Sequence, residues 1–249
     1  MASTTVVFIT GISRGIGKAV AAAYLSRPNH TIIGSVRNAK TPQAEELKKL
    51  PTADGSKLLL VSIENASHSD PKKAVEEIEA AGIDHIDVVI SNSGVSPSPA
   101  PLDAVDPQVL NDTFNINTVS SIVLFGAVNK LLVKSSAPKW ITVSSRAGSI
   151  GDAADFYYYV SPYGLSKAAQ NWFTKTLHVA NEKLTVFAVH PGFVSSDMGV
   201  AAAKAAGIDL PATSPQESAT KLLETIDSAT REAVGGKLLD VITGEEYLW

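Results

Sequence analysis

A chain of 249 residues, 45% hydrophobic and 18% charged, has the composition of a globular protein with one substantial core. A formal net charge of −4 without any cluster of Lys and Arg argues against a nucleic-acid partner, which needs grouped cations to displace counterions. The lack of cysteine excludes disulfides, thiolate catalysis and cysteine-bound zinc; the five histidines are scattered, no metal site is expected, and no apolar run reaches membrane-spanning length.

The first ten residues carry no basic segment and read as a strand rather than a secretion leader, so the expected compartment is the cytoplasm. Apolar Val/Ile/Leu runs predict strands over 5–10, 31–36, 57–63, 86–91, 139–144, 184–189 and 236–241. Helical patterns fill the gaps at 16–26, 70–81, 106–134, 162–181 and 214–228. Several of these starts are capped by a polar residue before proline, as in Asp70-Pro71, Asp106-Pro107 and Ser161-Pro162. Strand and helix alternating along one chain predict an α/β fold. The expected form is a single Rossmann-type, doubly wound parallel sheet of about seven strands with helices on both faces, forming one domain over 1–249. Such a sheet binds its ligand at the carboxyl ends of the strands.

At the first of those ends the chain reads Thr10-Gly11-Ile12-Ser13-Arg14-Gly15-Ile16-Gly17. Glycines at 11, 15 and 17 allow a tight turn and close backbone approach, and the helix that follows offers free amides to a pyrophosphate. The same stretch satisfies Gly-x-Ser-x-Gly around Ser13, the nucleophile elbow of serine hydrolases. That elbow needs an oxyanion loop from an earlier strand, and here no earlier strand exists; the late histidines His178 and His190 have no partner pattern. At the end of the second strand, Arg37-Asn38 stands where an acid would accept from a ribose hydroxyl. With Arg14 nearby and no acid, the 2′-phosphate of NADPH/NADP+ is the expected partner rather than the bare ribose of NAD(H).

Tyr163 and Lys167 lie four residues apart on a predicted helix, so phenol and ammonium share a face and the cation can lower the phenol's pKa. Together with the glycine turn, these residues resemble the short-chain dehydrogenase/reductase family, over residues 5 to about 198. The segment Ser91-Asn92-Ser93-Gly94 is similar to the family's Asn-Asn-Ala-Gly, with serine replacing the first asparagine and the alanine. The resemblance implies catalytic roles for Asn117, with Asn115 ranked second, for Ser145, with Ser144 ranked second, and for Tyr163 and Lys167. It implies cofactor contacts from Gly11, Ser13, Arg14, Gly15, Ile16, Gly17, Arg37, Asn38, Ser62, Ile63, Asn92, Ser93, Gly94, Tyr163 and Lys167. The stretch Pro191-Gly192-Phe193-Val194-Ser195-Ser196 matches the family's Pro-Gly-x-x-x-Thr and adds Pro191, Gly192, Val194 and Ser196. Ser62 replaces the aspartate of many relatives, leaving Ile63 to act through its backbone. The implied reaction moves hydride to a carbonyl carbon while Tyr163 protonates the oxygen held by Ser145. Lys167 would also bond the nicotinamide ribose, and Asn117 would anchor a water that relays protons.

The segment between Ser145 and Tyr163 is longer than usual for the family and ends in Phe156-Tyr157-Tyr158-Tyr159. Tyr157 and Tyr159, with Ser145 and Phe193, are candidates to line a pocket for an aromatic or bulky apolar carbonyl compound; a packing or subunit surface is the equal alternative. Residues 193–213 read as a lid, or as a plain surface helix. The ending over 236–249 resembles the Sniffer-type carbonyl reductases and the fungal norsolorinic acid ketoreductase-like enzymes. The expected activity is NADPH-dependent carbonyl reduction in a homodimer or homotetramer; the alternative is a non-catalytic NADP(H)-binding sensor or scaffold.

Overall fold

The structure is a computed structural model that describes residues 4–154, 161–207, 209–210 and 212–249. Strand β1 (Thr5–Ile9) leads through helix α1 (Gly15–Leu25) to β2 (His30–Val36), and a short helix α2 (Pro42–Leu47) precedes β3 (Lys57–Ser62). Helix α3 (Asp70–Ala80) returns the chain to β4 (Val88–Ser91). Next come α4 (Pro107–Phe114), a π-turn over Asn115–Val119 and α5 (Ser120–Leu132), followed by β5 (Lys139–Val143) and α6 (Ser161–Ala180). The chain ends with β6 (Thr185–His190), α7 (Asp197–Ala206), α8 (Pro215–Ser228), α9 (Arg231–Val234), β7 (Leu238–Asp240) and β8 (Glu246–Tyr247).

Among the described residues these strands form one sheet in the order β3-β2-β1-β4-β5-β6-β7-β8, parallel except for β8. The expected seven strands gain an antiparallel edge strand of two residues, too short to leave a period in the sequence. Strand β1 shows why the sheet is covered on both faces. Val7 and Ile9 pack into a core with Val20, Leu25, Leu222 and Ile226, whereas Val6 and Phe8 enter the opposite core with Ile78, Leu131 and Trp140. Alternating side chains of one strand thus feed both layers. Trp140 is fully buried and meets Phe125 and Phe173 edge-on at 5.5 and 6.3 Å.

The predicted helix 106–134 is one continuous helical run, but it widens by a π-turn at Asn115–Val119. The backbone there keeps helical angles, φ −58° and ψ −47° at Asn115, so hydrophobic periodicity alone does not reveal it. Helix α2 was absent from the predicted elements because its six residues bury only Ala44 and Leu47, although Thr41 caps it through the Ala44 amide.

The strand order reverses between β1 and β4, and the carboxyl ends of those two strands are tied together there. Thr10 Oγ1 accepts from the Asn92 and Ser93 amides, both at 2.9 Å, while Asn92 Nδ2 donates to the Thr10 carbonyl at 2.8 Å. This crossing places the glycine turn against the β4 loop, at the ligand-binding edge of an open parallel sheet.

Candidate active site

Gly11 and Gly15 turn at φ +71° and +57°, in the left-handed region that favours glycine. Gly17 is required for another reason: a Cβ there would collide with the Gly11 carbonyl oxygen and stand 2.5 Å from Asn92 Nδ2. Ser93 packs over the turn, its hydroxyl 2.6 Å from where a Cβ on Gly11 would lie. Helix α1 starts at Gly15 with no side-chain cap from Arg14 and no acid in its first turn. Its leading amides, including those of Ile16 and Gly17, are therefore available to an external anion. Ser13 is exposed, and among the described residues no hydrogen bond links it to a histidine. His178 bonds Arg231 at 3.0 Å and His190 lies 5.9 Å from Tyr247, so the hydrolase arrangement is not assembled.

The two basic residues part company. Arg37 is exposed at the end of β2, beside Asn38, whose Oδ1 accepts from the Lys40 amide at 2.9 Å. Arg14 instead donates to Asp197 Oδ2 at 2.7 Å, joining the glycine turn to the start of α7, with both side chains exposed. Ser62 accepts from the Ala39 amide at 3.0 Å and so braces the loop carrying Arg37, and buried Ile63 donates its amide to the Val36 carbonyl at 2.9 Å. On the far side, the Pro191 carbonyl accepts from buried Ser218, Gly192 turns at φ +86°, buried Val194 bridges to Thr213, and Ser196 caps α7. Phe193 is exposed beside them.

Two ranked choices are separated by the geometry. Asn115 faces away, meeting His68 Nε2 at 3.0 Å, while Asn117 is fully buried by the π-turn. The Asn117 side chain accepts from the Val95 amide at 2.8 Å and donates to the Val95 carbonyl and Ser166 Oγ, both at 2.9 Å. Its side-chain amide holds the loop after Gly94, and its main-chain carbonyl accepts from Ser121 Oγ at 3.3 Å. Ser144 is buried and donates to Asn171 Oδ1 at 2.5 Å, a structural contact, whereas Ser145 reaches the phenol of Tyr163.

Burial pushes the Tyr163 phenol above its ordinary pKa, and the Ser145 hydrogen bond pulls it partly back. The expected lowering by Lys167 does not arise in this arrangement. The Lys167 Nζ sits 5.7 Å from the Tyr163 ring centroid and donates instead to the Val143 carbonyl at 2.8 Å and to Gln170 Oε1 at 2.9 Å. Burial lowers the pKa of Lys167 itself to about 7. Gly148 packs on its backbone, and a Cβ at Gly94 would stand 3.7 Å from Nζ. Gln170 and Thr10 were missed from sequence. Gln170 follows Lys167 by three residues on the same helix face, and that spacing is the signal that was available. Tyr157 and Tyr159 lie outside the described residues.

The model of the family described as short chain dehydrogenase matches residues 5–207. The chain belongs to that family. It is similar to a short-chain dehydrogenase of Neurospora crassa, 43% identical over 99% of this chain and 98% of the relative. It is also similar to a norsolorinic acid ketoreductase of Dothistroma septosporum, 34% identical over 98% and 92%. Among solved structures it is similar to the carbonyl reductase Sniffer of D. melanogaster, with a TM-score of 0.84 and 27% identity over 99% of this chain and all of that one. Members of this oxidoreductase family bind nicotinamide cofactors, and the uncapped α1 start and the Gly17 contact suit such a group. No helix among the described residues is long and apolar enough to cross a membrane.

The depressed Lys167 pKa has a consequence for stability. The unfolded chain holds the lysine proton up to about pH 10.5, whereas the folded chain gives it up near 7. Between those values unfolding takes up a proton, so this lysine's burial penalty is fully present below pH 7 and is relieved as the pH rises. The melting temperature of Lys167→Met minus that of the wild type is therefore expected to fall from pH 7 to pH 10. A difference independent of pH would contradict a buried, strained ammonium.

Proposed function

We propose that this chain is an NADPH-dependent reductase acting on a ketone or aldehyde carbonyl, and on the alcohol in reverse, with an aromatic or bulky apolar substrate. The observation that carries the reading is the gathering of Tyr163 and the buried Lys167, whose Nζ lies 5.7 Å from the phenol ring centroid, with Ser145 at the carboxyl edge of the sheet, where Lys167 is tied to the end of β5 through the Val143 carbonyl. Bound NADPH would supply the hydride. Ser145 donates to the carbonyl oxygen and holds it at the phenol. Tyr163, kept protonated by burial, gives its proton as the oxygen becomes an alkoxide, a far stronger base than phenolate. Lys167 has one N–H left after Val143 and Gln170, enough for one bond to the nicotinamide ribose. Asn117 holds the Val95 loop that walls this site. Exposed Ile150, Phe193 and Met198, from the loops after β5 and β6 and from α7, support an apolar substrate and a lid over 193–213.

The preference for NADPH rests on Arg37, since Asp197 engages Arg14. A homodimer or homotetramer is supported by Leu165, Trp172 and Val179, which are 46%, 71% and 70% exposed at seven-residue spacing along α6.

Tyr163→Phe is expected to lower turnover of NADPH with a ketone and aldehyde panel by about 10²–10⁴-fold, the usual worth of a general acid, while NADPH binding measured by fluorescence stays largely intact. Normal turnover by that variant would sink the role. Arg37→Asp should weaken NADPH binding by about tenfold or more, the value of one charge-assisted contact, and leave NADH binding nearly unchanged; equal losses would remove the cofactor preference. Light scattering should give a dimer or tetramer that Trp172→Lys dissociates; a wild-type monomer would refute the assembly.

A further inference from the structure

Behind the proposed site runs a chain of buried polar groups that the reaction itself does not use. From Lys167 Nζ it passes to Gln170 Oε1 at 2.9 Å, from Gln170 Nε2 to Ser121 Oγ at 2.8 Å, and from Ser121 Oγ to Ser91 Oγ at 2.8 Å. Gln170 is fully buried, and Ser121 and Ser91 are 2% and 3% exposed. A neutral amide in such a place must satisfy both its ends, because an unmade hydrogen bond in the interior is costly. Two sides fix its orientation. An ammonium can only donate, so the amide must turn its oxygen to Lys167, and its NH2 group then needs the acceptor that Ser121 supplies.

We infer that Gln170, oriented by Ser121 and Ser91, is a positioning residue that stabilises the charged form of Lys167 and leaves one ammonium N–H directed toward the cleft. The inference rests on the reductase reading for what that ammonium serves, but not for the contact itself. Nζ has three donors; the Val143 carbonyl and Gln170 Oε1 take two. Among the described residues Tyr163 is the only titratable side chain that faces the ammonium. Val143 on β5, Gly94 after β4, Asn117 in the π-turn and Gln170 on α6 itself present carbonyls, amides or plain backbone. With no carboxylate beside it, the ammonium depends on these neutral oxygens, and the loss of one shifts its titration.

The test compares Gln170→Met, which keeps the length and loses the acceptor, with Gln170→Glu, which places a carboxylate at the same point. The pH dependence of the melting temperature is measured on the cofactor-free protein. The pH dependence of NADPH affinity, by fluorescence, and of kcat/KM is measured alongside it. The methionine variant should move the limb on which Lys167 loses its proton to lower pH by about one unit, and the glutamate variant should move it to higher pH. Ser121→Ala, which frees the amide to turn, should shift the limb in the same direction as methionine by less. Limbs unmoved in both Gln170 variants, with activity and stability lowered evenly at every pH, would overturn the inference and leave Gln170 a packing residue. Because the melting curves need neither cofactor nor turnover, they decide this point even if the wild type reduces no carbonyl on the panel.

Discussion

A single ammonium in a dry interior sets the terms for everything around it. Lys167 is 3% exposed, and charge at such a depth is tolerated only where oxygen atoms replace water. The fold supplies them from separate elements: the Val143 carbonyl from the end of β5 and the Gln170 amide from the next turn of α6. Space is supplied by omission. Gly148 lets the loop after Ser145 lie directly on α6, where a Cβ would stand 2.6 and 2.7 Å from the Lys167 C and Cβ atoms and 2.8 Å from the Ala168 nitrogen. The same ammonium therefore accounts for a glutamine and two serines in the buried chain behind it, Gln170, Ser121 and Ser91.

The other half of the cleft is built on backbone rather than charge. Thr10 and Asn92 lace the ends of β1 and β4 together, and only glycine at 17 allows the helix to start that close to the Gly11 carbonyl. The result is a helix start without a side-chain cap among the described residues, its first amides turned outward from the helix. Arg14 and Asp197 close this side by pairing the glycine turn with α7, an exposed contact of small intrinsic stability that can part without loss of the fold. The cleft thus has an inner wall made by buried hydrogen bonds, and across its outer edge a solvent-exposed pair joins the glycine turn to α7.

Much of this was legible beforehand. Largely apolar runs identified the seven parallel strands, because a strand buried on both faces carries few polar residues, such as Thr31, Ser35 and Thr142 here. The glycine spacing, the tyrosine and lysine pair and the serine after β5 are local patterns, and local patterns survive in sequence. Harder features shared one property, that their meaning depends on a partner distant in the chain. Arg14 reads as a phosphate ligand from its place in the glycine turn, whereas its pairing with Asp197, 183 residues away, leaves no mark in the local sequence. Asn117 and Asn115 are two residues apart and so lie on opposite faces of one helix, and the packing of that helix decides that one faces Val95 and Ser166 while the other faces His68.

By itself the sequence determined the alternation of the main strands and helices, the parallel sheet and the family, and it nominated the candidate reactive groups, since each follows from periodicity or from residue types at short spacing. Only the tertiary structure decided the state of those groups. The lysine expected to depress the phenol is itself depressed to about 7, and the phenol is raised, because burial acts on both and burial is a property of the whole packed chain. Charge at the site is set by what surrounds it in space, and no spacing along the chain encodes that.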